Sequence, residues 1–284
     1  MKYRFSEDLC VILSILGMTQ AELAKEIGVQ QVTVSRSLSG ITEPSDRLLE
    51  KVYGFAYDRN IMLNRLKSMY WSDNLSSGHK LLFHGAKTYL DGQLRIDRSR
   101  SNNDFGQGFY TGQNYPQAIS FISGFDHSSV YLLDFDSSDL SCKEFDLTRE
   151  WMMTIAYFRG TLEQYKDNPL VKALADEVEN CDYVIAPIAD NRMYQIINSF
   201  IDGEITDQQC IHCLASTNLG KQVVFKSEKA VSQLTVLERL YVSDSERNYY
   251  KAMRTGESIE SENKVKQARI QYRGKGLYID EIYR

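Results

Sequence analysis

Apolar residues repeat at one spacing over the first quarter of the chain and at another beyond it. From Phe5 to about Tyr70 they fall at helical intervals: Leu9, Ile12, Leu13, Ile15 and Leu16, then Leu23 and Ile27, Val34 and Leu38, and Leu48, Leu49 and Val52. A strand cannot keep such a period, so this part is expected to be a compact all-helical domain over residues 1–70. Residues 71–78, WSDNLSSG, are short, polar and rich in turn formers, and read as a linker. After them the apolar residues gather in short β-branched or aromatic runs, KLLFHG, SVYLLDFD, DYVIAPIA and KQVVFKS, which predict strands. Longer helical stretches alternate with these runs over 147–165, 169–178, 193–202, the segment after Thr206, and 230–241. A mixed α+β domain over 79–243 is expected. The remaining residues, 244–284, form a polar extension, helix or loose tail, with Lys264, Lys266, Arg269, Arg273 and Lys275 in a stretch free of acids.

Several function classes are excluded or disfavoured at once. No apolar run nears the roughly 20 residues of a membrane span, and the start MKYRFSEDLCVILSILG carries acids and no small-residue cleavage site. A cytoplasmic location without membrane contact is expected. No GxGxxG or GxxxxGK[ST] loop follows any strand run, which disfavours Rossmann and P-loop enzymes. The net charge of −5 rules out a globally basic nucleic-acid binder. Five scattered cysteines, Cys10, Cys142, Cys181, Cys210 and Cys213, are an odd set unlike a secreted disulfide framework, so reduced thiols are expected. Cys210, His212 and Cys213 form a CxHC cluster, but a structural zinc takes four ligands and no second pair accompanies it. Helix packing is the preferred reading, and no metal is expected.

Within the helical domain, residues 18–40 carry the punctuation of two short helices meeting at a tight turn. Thr19 with Glu22 three residues on makes a capping box, Ala24 is small enough for a close helix crossing, and Gly28 supplies the turn. A second helix burying Val34 and Leu38 leaves Gln30, Gln31, Thr33, Ser35 and Arg36 at its exposed side. Gln pairs with adenine and Arg with guanine or phosphate, so these five are the candidate DNA-binding residues. The segment resembles the repressor-type helix-turn-helix family, whose members bind DNA as dimers. Residues 1–76 hold nine Lys+Arg against nine Asp+Glu, so the electrostatic drive toward phosphate is small, and a docking or dimerisation module stands as the alternative.

Three segments of the larger domain combine into a second candidate site. Leu81-Leu-Phe-His-Gly85 is a strand ending in His84, which can hydrogen-bond a ribose hydroxyl, and Gly85, against which a flat carboxamide can lie. In Asn103-Asp-Phe-Gly-Gln-Gly-Phe-Tyr-Thr111 two glycines frame a turn into Tyr110, and Phe121 follows on a helix beginning near Pro116. Two such aromatics can sandwich a nicotinamide ring. Lys221-Gln-Val-Val-Phe-Lys-Ser-Glu-Lys229 is a late strand whose Gln222 can reach the ribose. Each segment alone also reads as ordinary core or turn.

In order, these segments resemble the ADP-ribosyltransferase superfamily in its histidine-tyrosine-glutamate branch, which includes diphtheria toxin and the poly-ADP-ribose polymerases. More closely they resemble a bacterial family catalogued as domain of unknown function 3990, sharing HG, DFGxGFY and DYxIxPxADxRxY, the last here Asp182 to Tyr194. The resemblance implies a split β-sheet core with helices, NAD as substrate, and no metal. It implies that His84 contacts ribose, Gly85 holds the carboxamide, Tyr110 and Phe121 bracket nicotinamide, and Gln222 takes the catalytic place, with His84 and Tyr110 completing the catalytic set. Two departures matter: Ala118 stands where relatives often carry serine, and Gln222 stands where they carry glutamate. Glycosidic cleavage builds positive charge on the ribose, which a carboxylate stabilises better than an amide; Glu228, six residues on, is a second candidate for it. The implied function is mono-ADP-ribosyl transfer to an unknown protein or nucleic-acid acceptor, as in a toxin or phage-defence effector. A transcriptional regulator with a degenerate NAD-sensing domain and an NAD glycohydrolase are the alternatives, and a homodimer fits the first of these.

Overall fold

A computed structural model describes residues 1–90, 93–217 and 219–283. Among them the chain forms thirteen α-helices and seven strands. In chain order these are α1 Phe5–Leu16, α2 Gln20–Glu26, α3 Gln31–Leu38, α4 Asp46–Asp58, α5 Leu63–Asp73, β1 Lys80–Ala86, β2 Phe109–Gly112, α6 Tyr115–Ile122, β3 Ser129–Phe135 and β4 Cys142–Glu144. They continue with α7 Arg149–Phe158, α8 Pro169–Glu179, β5 Tyr183–Pro187, α9 Asn191–Ile201, α10 Asp207–Ala215, β6 Lys221–Phe225, α11 Glu228–Ser232, β7 Leu234–Tyr241, α12 Asp244–Gln271 and α13 Ile279–Ile282. No described helix is long and apolar enough to cross a membrane. The chain is therefore mixed α and β, with an all-helical N-terminus.

The chain divides into two compact units that are not consecutive in sequence. The first comprises Met1–Asp91, Asn114–Asp134 and Thr235–Ala252; the second comprises Gly92–Gln113, Phe135–Leu234 and Met253–Arg284.

In the first unit the N-terminal helices close around Phe5, Leu9, Ile12, Leu23, Ala24, Val34, Leu48, Leu49, Val52 and Tyr53, all nearly inaccessible. The helical spacing of the sequence is the cause, since it places these side chains on inward faces. Strands of this unit lie in the order β1-β3-β7. The helices are joined to β7 by side chains far apart in sequence. Tyr53 stacks on Tyr241 at 5.0 Å, and Glu50 accepts from the Tyr241 hydroxyl at 2.9 Å. The Lys67 ammonium sits between Asp8 and Glu238 at 2.5 Å from each, with the Trp71 indole donating to Glu238 at 2.8 Å. Burial pushes the Asp8 carboxyl up, and Lys67 opposes the shift. Residues 71–78 thus run from the end of α5 into β1 inside one compact unit.

In the second unit the strands lie in the order β4-β5-β6-β2, with β4 and β5 parallel and the other neighbours antiparallel. Its core holds Phe105, Trp151, Met152, Ile155, Val184, Ile197, Phe200 and Val224. Cys210 and Cys213 are fully buried in it on α10, where burial raises both thiols, while His212 stacks on Tyr272 at 3.5 Å. The CxHC run is accordingly part of helix packing. The later part of α12 buries Ala268 in this core, and Arg269 donates to Ser199 Oγ at 3.0 Å.

One expectation needs correction. Residues 230–241 do not form one helix: α11 ends at Ser232 and 234–241 are strand β7. The leucine spacing there fits either state, and hydrogen bonding to the neighbouring β3 decides for the strand. Of the two forms expected for the polar extension, helix is the one found, since most of it is the 28-residue α12.

Candidate functional site

The helix-turn-helix forms as its residues require. Thr19 Oγ1 accepts from the Glu22 amide at 3.2 Å, and Glu22 accepts from the Thr19 amide at 2.8 Å, so two otherwise unpaired N–H groups are satisfied reciprocally. Gly28 turns the chain at φ +61°, a conformation open to residues without Cβ. Val34 is buried and Leu38 half-buried, and Gln30, Gln31, Thr33, Ser35 and Arg36 are all exposed on or beside α3. Not every basic residue nearby is available to phosphate. Lys51 donates to the Ile27 and Gly28 carbonyls at 2.6 and 3.0 Å, and Arg59 pairs with Glu26 at 3.0 Å.

The residues expected at the NAD site fall in both units. His84, Gly85 and Phe121 belong to the first, and Tyr110 and Gln222 belong to the second. His84 is half-buried on β1, and Phe121 on α6 is 51% exposed. Gly85 is required by packing, since a Cβ there would lie 2.5 Å from the Ala118 carbonyl oxygen and 3.0 Å from Ile122 Cγ2. Ala118 is itself buried beneath it, so the small pair lets α6 approach β1 closely.

In the second unit Tyr110 and Gln222 share one sheet face. Tyr110 pairs with Val224 and Gly112 with Gln222 across β2 and β6, and Ala186 of β5 flanks Gln222 on the other side. Residues two apart on a strand point the same way. Gln222 is thus bordered by the two smallest available neighbours, and it is 6% exposed. The Tyr110 hydroxyl donates to the Gly106 carbonyl at 2.8 Å and accepts from the Phe105 amide at 3.1 Å. Burial pushes its pKa well up from the ordinary tyrosine value. Those bonds pin the loop that carries Asp104.

Asp104 is the centre of the arrangement. One carboxylate oxygen accepts from Arg159 Nε at 2.9 Å and from a second guanidinium nitrogen. The other accepts from the Ala189 amide at 3.3 Å and from Gln222 Nε2 at 2.9 Å. Arg159 also donates to the Ala189 carbonyl at 2.9 Å and lies 4.4 Å from the Tyr194 ring. Gln222 Nε2 makes a further bond to the Pro187 carbonyl at 3.3 Å. The rest of that run is equally engaged: Asp182 accepts from Ser227 at 2.6 Å, Asp190 caps α9 through the Met193 amide, and Arg192 donates to the Ser258 carbonyl. Glu228 is the exposed first residue of α11. Spacing along the chain does not single out Asp104 or Arg159, although Asp104 opens the DFGxGFY run. The signal for Asp104 was its place just ahead of the glycine turn.

A family model described as a protein of unknown function (DUF3990) matches residues 81–236, more than half of the chain. The chain belongs to the DUF3990 family. The match spans His84, Asp104, Tyr110, Arg159 and Gln222. A helix-turn-helix model matches residues 16–52, covering α2, α3 and the first part of α4. No curated protein and no solved structure matches the chain.

Proposed function

We propose that the family region binds NAD and transfers its ADP-ribose to a macromolecule, and that the helix-turn-helix holds the chain on DNA. The observation that carries the first part is the convergence of three of the resembling runs. Asp104 of the first, Pro187 and Ala189 of the second and Gln222 of the third are hydrogen-bonded to one another around one buried glutamine. Separate runs that merely made core would have no need of a shared polar cluster, because buried polar groups are costly unless fully paired. In the reaction the ribose C1′–nicotinamide bond breaks, nicotinamide leaves with the electron pair, and an acceptor nucleophile bonds to C1′ and gives up its proton. Gln222 would hold a ribose hydroxyl as charge develops, with Tyr110 on the same sheet face of that unit. The test is incubation of the full chain with adenine-labelled NAD and cell extract. Nicotinamide release with label on a macromolecule is expected, and release without such label selects the glycohydrolase. Absence of both release and NAD affinity would sink the reading.

One observation favours a second reading, a regulator whose family region senses NAD without cleaving it. Asp104 is offset by Arg159 and Gln222 is neutral, so the cluster carries no net negative charge to stabilise an oxocarbenium ion. NAD binding with no nicotinamide release, and DNA binding that changes with NAD, would select it. For the DNA part, exposed Gln30, Gln31, Thr33, Ser35 and Arg36 support binding of an inverted repeat by a dimer. Arg36→Ala is expected to weaken retardation of such DNA and flatten its salt dependence without changing the melting temperature. Equal retardation by both proteins would return α3 to a docking role.

A further inference from the structure

We propose that Asp104, clamped by Arg159, is a positioning residue that fixes the amide of Gln222 in one orientation, so that this position accepts glutamine and refuses glutamate. The ligand role of the amide rests on the NAD reading above; its orientation rests on hydrogen-bond chemistry alone. The groups nearest the amide nitrogen are the Asp104 carboxylate at 2.9 Å and the Pro187 carbonyl at 3.3 Å. Both are acceptors only, and an amide NH2 has two hydrogens to give them. Rotating the amide by half a turn would set its carbonyl oxygen against two other oxygens and leave the NH2 with neither partner. The NH2 is therefore committed to the protein, and the carbonyl oxygen is the atom left to accept a hydrogen bond from a ligand hydroxyl.

Asp104 is held firmly enough to impose this. Arg159 takes one carboxylate oxygen with two nitrogens, and the Ala189 amide takes the other. Arg159 is fixed in turn by the Ala189 carbonyl and the Tyr194 ring, and the loop behind Asp104 is tied by the Tyr110 hydroxyl. Gly112 and Ala186, directly opposite on either side, bring no polar side chain against Gln222. A glutamate in place of Gln222 would bring two carboxylates to hydrogen-bond distance in a buried place, where they can coexist only by sharing a proton or moving apart.

The test compares the full chain with Gln222→Glu, Asp104→Asn and the double variant, reading NAD affinity by calorimetry and urea midpoints at pH 6 and pH 8. For Gln222→Glu we expect a loss of affinity of at least about tenfold at pH 8, partly regained at pH 6 as the carboxyl pair takes up a proton. Adding Asp104→Asn is expected to restore at least about threefold of the lost affinity, because the new amide can donate to the carboxylate, although it gives up the bond from the Ala189 amide. A general packing defect would show neither the pH recovery nor the rescue. Gln222→Glu binding as well as wild type at pH 8, or a double variant no better than Gln222→Glu, overturns the proposal. If wild type has no NAD affinity the function reading fails separately, and the urea midpoints decide. A midpoint of Gln222→Glu that falls more at pH 8 than at pH 6 upholds the positioning role, and an equal fall at both refutes it. Should Asp104→Asn alone not fold, that two-pH comparison stands without it.

Discussion

Replacing Glu246 with glutamine should stabilise the protein at alkaline pH and leave it nearly unchanged in acid. Glu246 stands in the first turn of α12 and is 5% exposed. Its oxygens meet the Tyr115 hydroxyl at 2.9 Å and Asn64 Nδ2 at 2.8 Å. Tyr57 and Tyr250 also feel its charge. Burial pushes its pKa from 4.5 up to about 7, and the bonds from Tyr115 and Asn64 only partly oppose this. The folded state then holds a proton that the unfolded state releases between those two values, so the contribution is full below about pH 4.5 and is lost as pH rises through about 7. At about 1.4 kcal/mol per unit, a shift of roughly 2.5 units is worth about 3 kcal/mol. Glutamine has no charge to bury; its oxygen still accepts from Asn64 Nδ2, and its NH2 requires the Tyr115 hydroxyl to turn from donor to acceptor. Urea unfolding of both proteins from pH 4.5 to 8 measures the gap. Expected is a small difference at pH 4.5 that grows to about 3 kcal/mol in favour of Glu246→Gln at pH 8. Asp8 is shifted in the same direction by burial, so it contributes to both curves and drops out of the difference. A difference that stays constant across the range, or a wild type more stable at pH 8, would refute the reasoning.

Gly85→Ala places a methyl group 2.5 Å from the Ala118 carbonyl oxygen, so α6 must move off β1. The expected cost is about 1–3 kcal/mol, seen as a lowered melting temperature; an unchanged melting temperature would mean that the helix yields freely. Cys10 and Cys142 are exposed and Cys181, Cys210 and Cys213 are buried, with burial raising the three inner thiols. A disulfide-exchange reagent should therefore label the first two in the native protein and all five in urea, and rapid native labelling of Cys210 would contradict the packing described for α10.

What could be read from the sequence alone is what local bonding encodes. The capping box of Thr19 and Glu22 spans three residues, and the turn at Gly28 needs one left-handed position, so both follow from neighbours along the chain. The runs that became β1, β3, β5 and β6 were legible because β-branched and aromatic residues favour extended backbone. Spacing failed where it was ambiguous: the leucines of 234–241 suit helix or strand, and only β3 alongside them settles the outcome. The candidate site shows the same divide. Tyr110 and Gln222 could be picked out singly, yet that they share a face depends on the register of β2 against β6. Asp104 lies 118 residues from Gln222, and Asn64 lies 182 from Glu246. No periodicity connects positions so far apart. Tertiary structure alone decided which buried carboxylate is offset by a guanidinium and which is left to hold a proton, because desolvation and charge pairing act through space and not along the chain.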